Sequence, residues 1–206
     1  MGGNTPKQFL LIRDKPILMH TLEAFRRYNP DIKLVLVISE HEHPRWQDLC
    51  QQYSFFLEHE VVAGGDNRSD SVRHGLDAIR SEHGLVAIHD GVRPLVSTEI
   101  IAKSFAEAEK QGNAVVSVPL KDSIRFDDGI ENKALDRSQY RLIQTPQTFS
   151  LPLIREAYQK IGQLSLTDDA SVLESAGHRI HLIDGDYRNI KITTQEDMLI
   201  AEALWK

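Results

Sequence analysis

Three short apolar runs rich in β-branched residues punctuate the first 118 residues: Lys33–Ser39 (KLVLVIS), Leu85–His89 (LVAIH) and Ala114–Val118 (AVVSV). None alternates polar with apolar positions, as a strand with one wet face does. They therefore predict strands covered on both sides, the pattern of a parallel sheet between two layers of helices. Helical signals fill the intervals. Pro16 is expected at the first helical position of a helix that turns Leu18, Leu22 and Phe25 inward and closes at Asn29-Pro30. Pro44 opens a second, with Trp46, Leu49, Cys50 and Tyr53 as its apolar side; Ser69 is expected to cap a third, with Val72, Leu76 and Ile79 inward. Ser97 caps a fourth that stops at Gly112. Strand alternating with helix predicts an α/β, doubly wound, mostly parallel sheet with right-handed crossovers.

Residues Lys121–Gln144 break this rhythm. Asp127-Asp128-Gly129 is a turn signal after Ile124-Arg125-Phe126, and no helical period runs through the stretch, which predicts a protruding β-arm on a single domain spanning 1–206. Helices are expected again at Leu151–Ile161 and Asp169–Ala176, strands at Arg179–Ile183 and Asn189–Thr193, and a last helix from Thr194 with Asp197 completing a capping box. An apolar hairpin that cannot bury Ile124, Phe126 and Leu135 on its own body calls for a second copy, so a homodimer through the arm is expected.

Lys plus Arg number 24 against 30 Asp plus Glu, a net charge of −6 that argues against a nucleic-acid or membrane-surface role. The longest purely apolar run is Leu34–Ile38, and the N-terminus lacks a signal-peptide layout, so a cytoplasmic protein is expected. The single cysteine, Cys50, forms no internal disulfide, and no Cys/His spacing suits structural zinc.

Ligands of doubly wound sheets bind beyond the carboxyl ends of the strands. There, Gly64-Gly65-Asp66-Asn67-Arg68-Ser69-Asp70-Ser71 lets backbone approach a ligand and leads into a helix N-terminus suited to an anion; as a glycine pair alone it is more often a tight turn. Asp90-Gly91-Val92-Arg93-Pro94 offers a carboxylate for Mg²⁺ and a guanidinium for phosphate, or a pair that only pins its loop. Lys191, between Ile190 and Ile192, reads by default as a solvent-facing strand lysine. His41-Glu42-His43 is a polar loop rather than a metal site, Gly2-Gly3-Asn4-Thr5-Pro6-Lys7 lacks the Gly-Lys-Ser/Thr of a Walker motif, and Cys50, Tyr158 and Trp205 read as packing residues.

Seven segments then occur in a telling order: Pro6-Lys7-Gln8-Phe9, Gly64-Gly65-Asp66-x-Arg68-x-x-Ser71-Val72, His89-Asp90-Gly91-Val92-Arg93-Pro94, Lys121-Asp122-Ser123, Arg137 with Gln144-Thr145-Pro146-Gln147, Thr167-Asp168-Asp169-Ala170-Ser171, and Asn189-Ile190-Lys191-Ile192-Thr193. From Pro6 to the C-terminus the chain resembles the 2-C-methyl-D-erythritol 4-phosphate cytidylyltransferases, which have a Rossmann-like nucleotidyltransferase fold.

The resemblance implies transfer of CMP from CTP to methylerythritol phosphate, with release of pyrophosphate, in non-mevalonate isoprenoid synthesis. Bringing two polyanions together in a net-acidic protein requires a local basic cluster. Lys7, Arg68, Arg93, Arg137 and Lys191 would supply it, with Lys7 and Lys191 on the α-phosphate and its attacker, and Asp90 on Mg²⁺. Gly65, Asp66 and Ser71 resemble cytidine contacts. Asp90, Arg93, Thr167 and Lys191 would face the sugar-alcohol phosphate, and Ser123, Arg137 and Thr145 would come from the partner's arm; Ser123 keeps the hydroxyl where many relatives have threonine. A ribitol 5-phosphate cytidylyltransferase and a catalytically silent, dimeric nucleotide-binding relative are the alternatives. The family begins with an apolar strand and a glycine-rich loop ending in Arg-Met-Gly, so Met1 is expected to be an internal methionine of a longer protein, and the 206-residue form to bind CTP weakly.

Overall fold

The computed structural model describes residues 5–162 and 166–205. Met1, Gly2, Gly3 and Asn4 lie outside them. In chain order the elements are β1 (Leu11–Ile12) and β2 (Lys15–Pro16), α1 (Ile17–Tyr28), β3 (Val35–Ile38), α2 (His43–Gln52), β4 (Glu60–Ala63), α3 (Arg68–Ala78), β5 (Leu85–Ile88) and α4 (Thr98–Gln111). There follow β6 (Asn113–Pro119), β7 (Ile124–Asp127), β8 (Asn132–Leu135), β9 (Arg141–Ser150), α5 (Leu151–Ile161), α6 (Asp169–Ser175), β10 (Leu182–Asp184) and α7 (Gln195–Leu204).

The main sheet has the order β10-β6-β9-β5, in which β9 runs against both neighbours while β6 and β10 are parallel. β3 and β4 pair in parallel as a separate two-stranded sheet. Alternation along the strands shows why helices cover both faces. On β5, Val86 and Ile88 pack with α5 and α6, whereas Ala87 between them packs with Phe25 of α1 and Ile100 of α4. On β9, Phe149 joins the first group while Thr148 donates to Ser104 Oγ of α4 at 3.0 Å. This two-sided core makes the sheet doubly wound, as the sequence predicts, but the sheet is mixed rather than mostly parallel, because β9 pairs antiparallel with both β6 and β5.

Local chemistry explains most boundaries. Ser97 accepts from Ile100 N, Gly112 ends α4 at φ +83°, and Thr194 and Asp197 form the expected capping box. Four expectations are corrected. Pro16 is the residue before α1 rather than its first. Asn67, whose side chain accepts from Asp70 N, caps α3, and Ser69 is buried in the first turn. Only β6 is buried along nearly its whole length; β3 and β5 are partly exposed, because β5 is an edge and β3 has only β4 beside it. Residues 189–193 form no strand, since Ile192 N bonds to Val92 O of a loop at 2.9 Å instead of joining a ladder. Their alternation survives all the same, with Ile192 buried and Lys191 exposed.

The arm is a hairpin of β7 and β8, with Ile124 opposite Leu135 and Asp127 opposite Asn132. β9 already begins at Arg141, so the last residues assigned to the arm belong to the sheet. Among the described residues no helix is long and apolar enough to cross a membrane.

Candidate active site

The site forms where β4, β5, β6 and β10 end and β9 begins. Gln147 pairs with Ile88 at the end of β5, so Thr145, two residues earlier on the same face of β9, stands beside the Asp90 loop. Its Oγ1 accepts from Asp90 N at 3.1 Å and lies 3.0 Å from His89 Nδ1. His89 Nε2 is 3.2 Å from Arg93 O, a carbonyl that can only accept. His89 therefore carries a proton on Nε2, and because its pKa is depressed it is neutral near pH 7, so that Nδ1 accepts from Thr145. Burial pushes the His89 pKa down to about 4, against smaller opposing effects of Arg93 O and Asp90.

Asp90 is the centre of the cluster. Its Oδ2 accepts from Arg93 Nε at 2.9 Å and its Oδ1 from Lys191 Nζ at 3.3 Å. Burial would raise its pKa, but the hydrogen bond from Arg93 and the charges of Lys191 and Arg93 outweigh it and hold the carboxyl below its ordinary value. Arg93 is fixed from the other side by Asn189 O, 2.8 Å from Nη1. Two cations thus face one carboxylate, and Lys191 keeps 43% of its side chain exposed, free to turn toward an anion. Lys191 is thus solvent-facing, as its default reading has it, and is also paired with Asp90.

A second polar cluster adjoins the first through β9. Gln147 Nε2 donates to Asp168 Oδ2 at 2.9 Å, and its Oε1 accepts from Ala170 N at 2.8 Å. Asp168 caps α6 by accepting from Ser171 N at 2.9 Å. Burial would raise the Asp168 pKa, but hydrogen bonds from Ser171 and Gln147 and the charge of Arg68 hold it down. Asp169, fully buried, takes two hydrogen bonds from Arg68, at 3.1 and 2.5 Å, and one from Tyr158 Oη at 2.6 Å. Arg68 is thus committed to a carboxylate within its own chain, and Tyr158 does more than pack. Asp169 and Gln147 were missed as site groups: a carboxylate in the first turn of a helix reads as a solvated cap, and nothing local marks it as buried. Thr167 is exposed, its Oγ1 3.4 Å from Ser171 Oγ.

The Gly65 loop packs against its own helix. Ser71 Oγ accepts from Gly65 N at 3.0 Å and donates to Asn67 O at 2.9 Å, while Asp66 is exposed. A Cβ on Gly65 would stand 2.4 Å from Asp70 Cβ. Gly65→Ala is therefore expected to cost about 1–3 kcal/mol, or to displace the loop. Thermal unfolding checks this, and an unchanged melting temperature would mean that the loop relaxes freely.

Lys7 is exposed on a single 3-10 turn, Lys7–Phe9. The following residues, Leu10 and Ile12, pack with Val92 and Ile192, which brings the N-terminal segment to the flank of the Lys191 segment. Ser123 is exposed on the arm, and Arg137, on a short turn before β9, donates to Lys121 O. Neither arm residue touches Asp90 or Lys191 through any contact seen here within the chain.

For Mg²⁺, the fit rests on Asp90. It is an ionised carboxylate whose Oδ1 is held only by the long Lys191 contact, and it suits the mode in which one carboxylate and substrate phosphates share the ion. No group of three or more His, Cys, Asp or Glu suited to an all-protein metal cage occurs among the described residues.

The buried histidine has a consequence in solution. Between its ordinary pKa of 6.5 and about 4, the unfolded chain binds a proton at His89 that the folded chain refuses. Its contribution is complete above pH 6.5 and is lost as pH falls toward 4, by about 2–3 kcal/mol. Asp90 and Asp168, whose folded pKa values are lowered, add losses only below the ordinary carboxylate range. Urea unfolding at pH 7, 5.5 and 4.5 is expected to show this decline, and a smaller one in His89→Asn; equal slopes would mean that His89 protonates freely.

Taken together, a doubly wound sheet whose carboxyl ends gather cations around one carboxylate makes this an α/β protein with an anion-binding edge. The whole chain, residues 1–206, matches the family 2-C-methyl-D-erythritol 4-phosphate cytidylyltransferase, and the protein belongs to that family. Relatives bearing that name include one from Porphyromonas gingivalis, 45% identical over 99% of this chain and 91% of the relative, and one from Phocaeicola vulgatus, 41% identical over 99% and 93%. Among solved structures, the 2-C-methyl-D-erythritol 4-phosphate cytidylyltransferase from Thermus thermophilus is 31% identical, with a TM-score of 0.83 over 97% of this chain and 93% of that one. The 4-diphosphocytidyl-2C-methyl-D-erythritol synthase from Anaerococcus prevotii is 29% identical, with a TM-score of 0.85 over 95% and 91%.

Proposed function

We propose that the protein transfers CMP from CTP to 2-C-methyl-D-erythritol 4-phosphate. A phosphate oxygen of the acceptor attacks the α-phosphorus in line; the bond from that phosphorus to the bridging oxygen breaks, and pyrophosphate leaves with the electron pair. The observation that carries this reading is the convergence of Arg93 and Lys191 on Asp90 beside the Gly65 helix. Lys191 and Lys7 neutralise charge at the α-phosphate and its attacker, and Arg93, held by Asn189, presents a fixed guanidinium to the acceptor phosphate. Thr167 contributes a further hydroxyl on the acceptor side. Gly65, Asp66 and Ser71 hold the cytidine. Arg68 acts through its pair with Asp169, which keeps the first turn of α3 against α6. Mg²⁺ on Asp90 would supply charge neutralisation between the phosphates.

The same reading makes the protein a cytoplasmic homodimer. The arm and its root expose Phe126, Ile130, Tyr140, Leu142 and Ile143, with Ile130 98% accessible. A second copy covering this surface would bring Ser123 and Arg137 to its site. Thr145, expected to come from the partner's arm, instead serves its own chain's site, because it is buried in β9 and bonded to Asp90 N and His89 of the same chain. Incubation with CTP, Mg²⁺ and methylerythritol phosphate, with ribitol 5-phosphate in parallel, is expected to release pyrophosphate only with the former. Sedimentation at micromolar concentration is expected to show dimers. Release with ribitol 5-phosphate alone, or none at all, would overturn the reading.

A further inference from the structure

The segment between β10 and Lys191 is fastened at one end to the root of the arm and at the other to the charged cluster. Gly185 N donates to Ser117 O at 2.9 Å. Tyr187 Oη donates to Pro119 O, the last residue of β6, at 2.7 Å, and Lys121 Nζ stands 3.4 Å from the centre of the Tyr187 ring. Gln144 Nε2 donates to Asp186 O at 2.9 Å. Asn189, fully buried, donates from Nδ2 to Thr145 O at 2.8 Å while its carbonyl receives Arg93. Lys191 follows two residues later. The root is itself braced, since Arg141 donates to Ser117 O at 3.2 Å and to Asp184 Oδ1 at 2.5 Å.

No strand ladder carries residues 185–191, so side-chain ties, together with the backbone bonds of Gly185 to Ser117 and of Asn189 to Asp186, decide their path. Tyr187 is 39% exposed, which is poor use of an aromatic ring for core packing. Its hydroxyl and its face are instead both engaged by the two residues from which the arm departs.

We propose that Tyr187 is a positioning residue that links the arm to Lys191: the arm root at Pro119 and Lys121 sets the course of residues 185–191, and with it the place of the Lys191 ammonium. When the arm settles on a second copy, the same contact brings Lys191 of its own chain into register. The proposal rests on the reading above that Lys191 grips the phosphates and that the arm serves the partner's site.

The test compares Tyr187→Ala, Tyr187→Phe and Lys121→Ala with Lys133→Ala, which removes a cation from the far part of the arm. Amide hydrogen exchange at Ile190 and Ile192 is expected to rise about fivefold or more in Tyr187→Ala and Lys121→Ala. With methylerythritol phosphate, kcat/KM is expected to fall about tenfold, with the CTP KM within about twofold of wild type. Tyr187→Phe, which keeps the ring beneath Lys121, recovers part of both effects, and Lys133→Ala changes neither. Unaltered exchange and kinetics in Lys121→Ala would overturn the proposal; should Tyr187→Ala fail to fold, this exposed arm residue decides alone. A wild-type protein without transferase activity would defeat the reading of function, while the exchange comparison would still decide the link.

Discussion

Asp90→Asn is expected to lower turnover about a thousandfold or more at saturating CTP. The substitution keeps the side-chain shape but removes the charge that would hold Mg²⁺ and that orients Arg93 and Lys191. The change also carries a structural cost. Arg93, only 11% exposed, loses its anionic partner, and about 1–3 kcal/mol of stability should go with it. Circular dichroism and urea unfolding would show a folded, weaker protein, and pyrophosphate release an inactive one. Wild-type turnover in Asp90→Asn would reduce the carboxylate to a loop fastener.

Arg137→Ala and Lys191→Ala are each expected to be nearly inactive, yet a mixture of the two chains should regain about a quarter of wild-type activity. About half of randomly assorted dimers are mixed, and each mixed dimer has one of its two sites intact. Arg137 lies on the arm, donates to Lys121 O, and is not seen to touch Asp90 or Lys191 in its own chain. Arg137→Ala should raise the methylerythritol phosphate KM far more than the CTP KM. Mixed dimers that form but stay inactive would place Arg137 in the same subunit's site as Lys191.

Much of this architecture was legible because it depends on short-range rules. Ser97, Gly112, Thr194 and Asp197 act within one helical turn, so their residue types sufficed to end or start helices where they do. The third helix shows the limit. Asn67, Ser69 and Asp70 are all plausible near an N-terminus, and only the burial of Ser69 leaves Asn67 as the cap. Of the site, the order of the motifs pointed to Asp90, Arg93 and Lys191, and the structure brings these together across 101 residues of sequence. It could not show that Arg68 is committed to Asp169, because the value of that carboxylate lies in what surrounds it.

Periodicity and end chemistry by themselves determined that this chain forms alternating strands and helices with a projecting hairpin, since apolar spacing and capping act over a few residues. Only the tertiary structure decided that β9 runs against its neighbours, that residues 189–193 lie in a loop tied by Asn189, and that His89 stays neutral. Strand direction depends on which chain segment fills the neighbouring place in the sheet. A charge state depends on desolvation and on partners far away in sequence, and neither quantity exists until the chain has closed on itself.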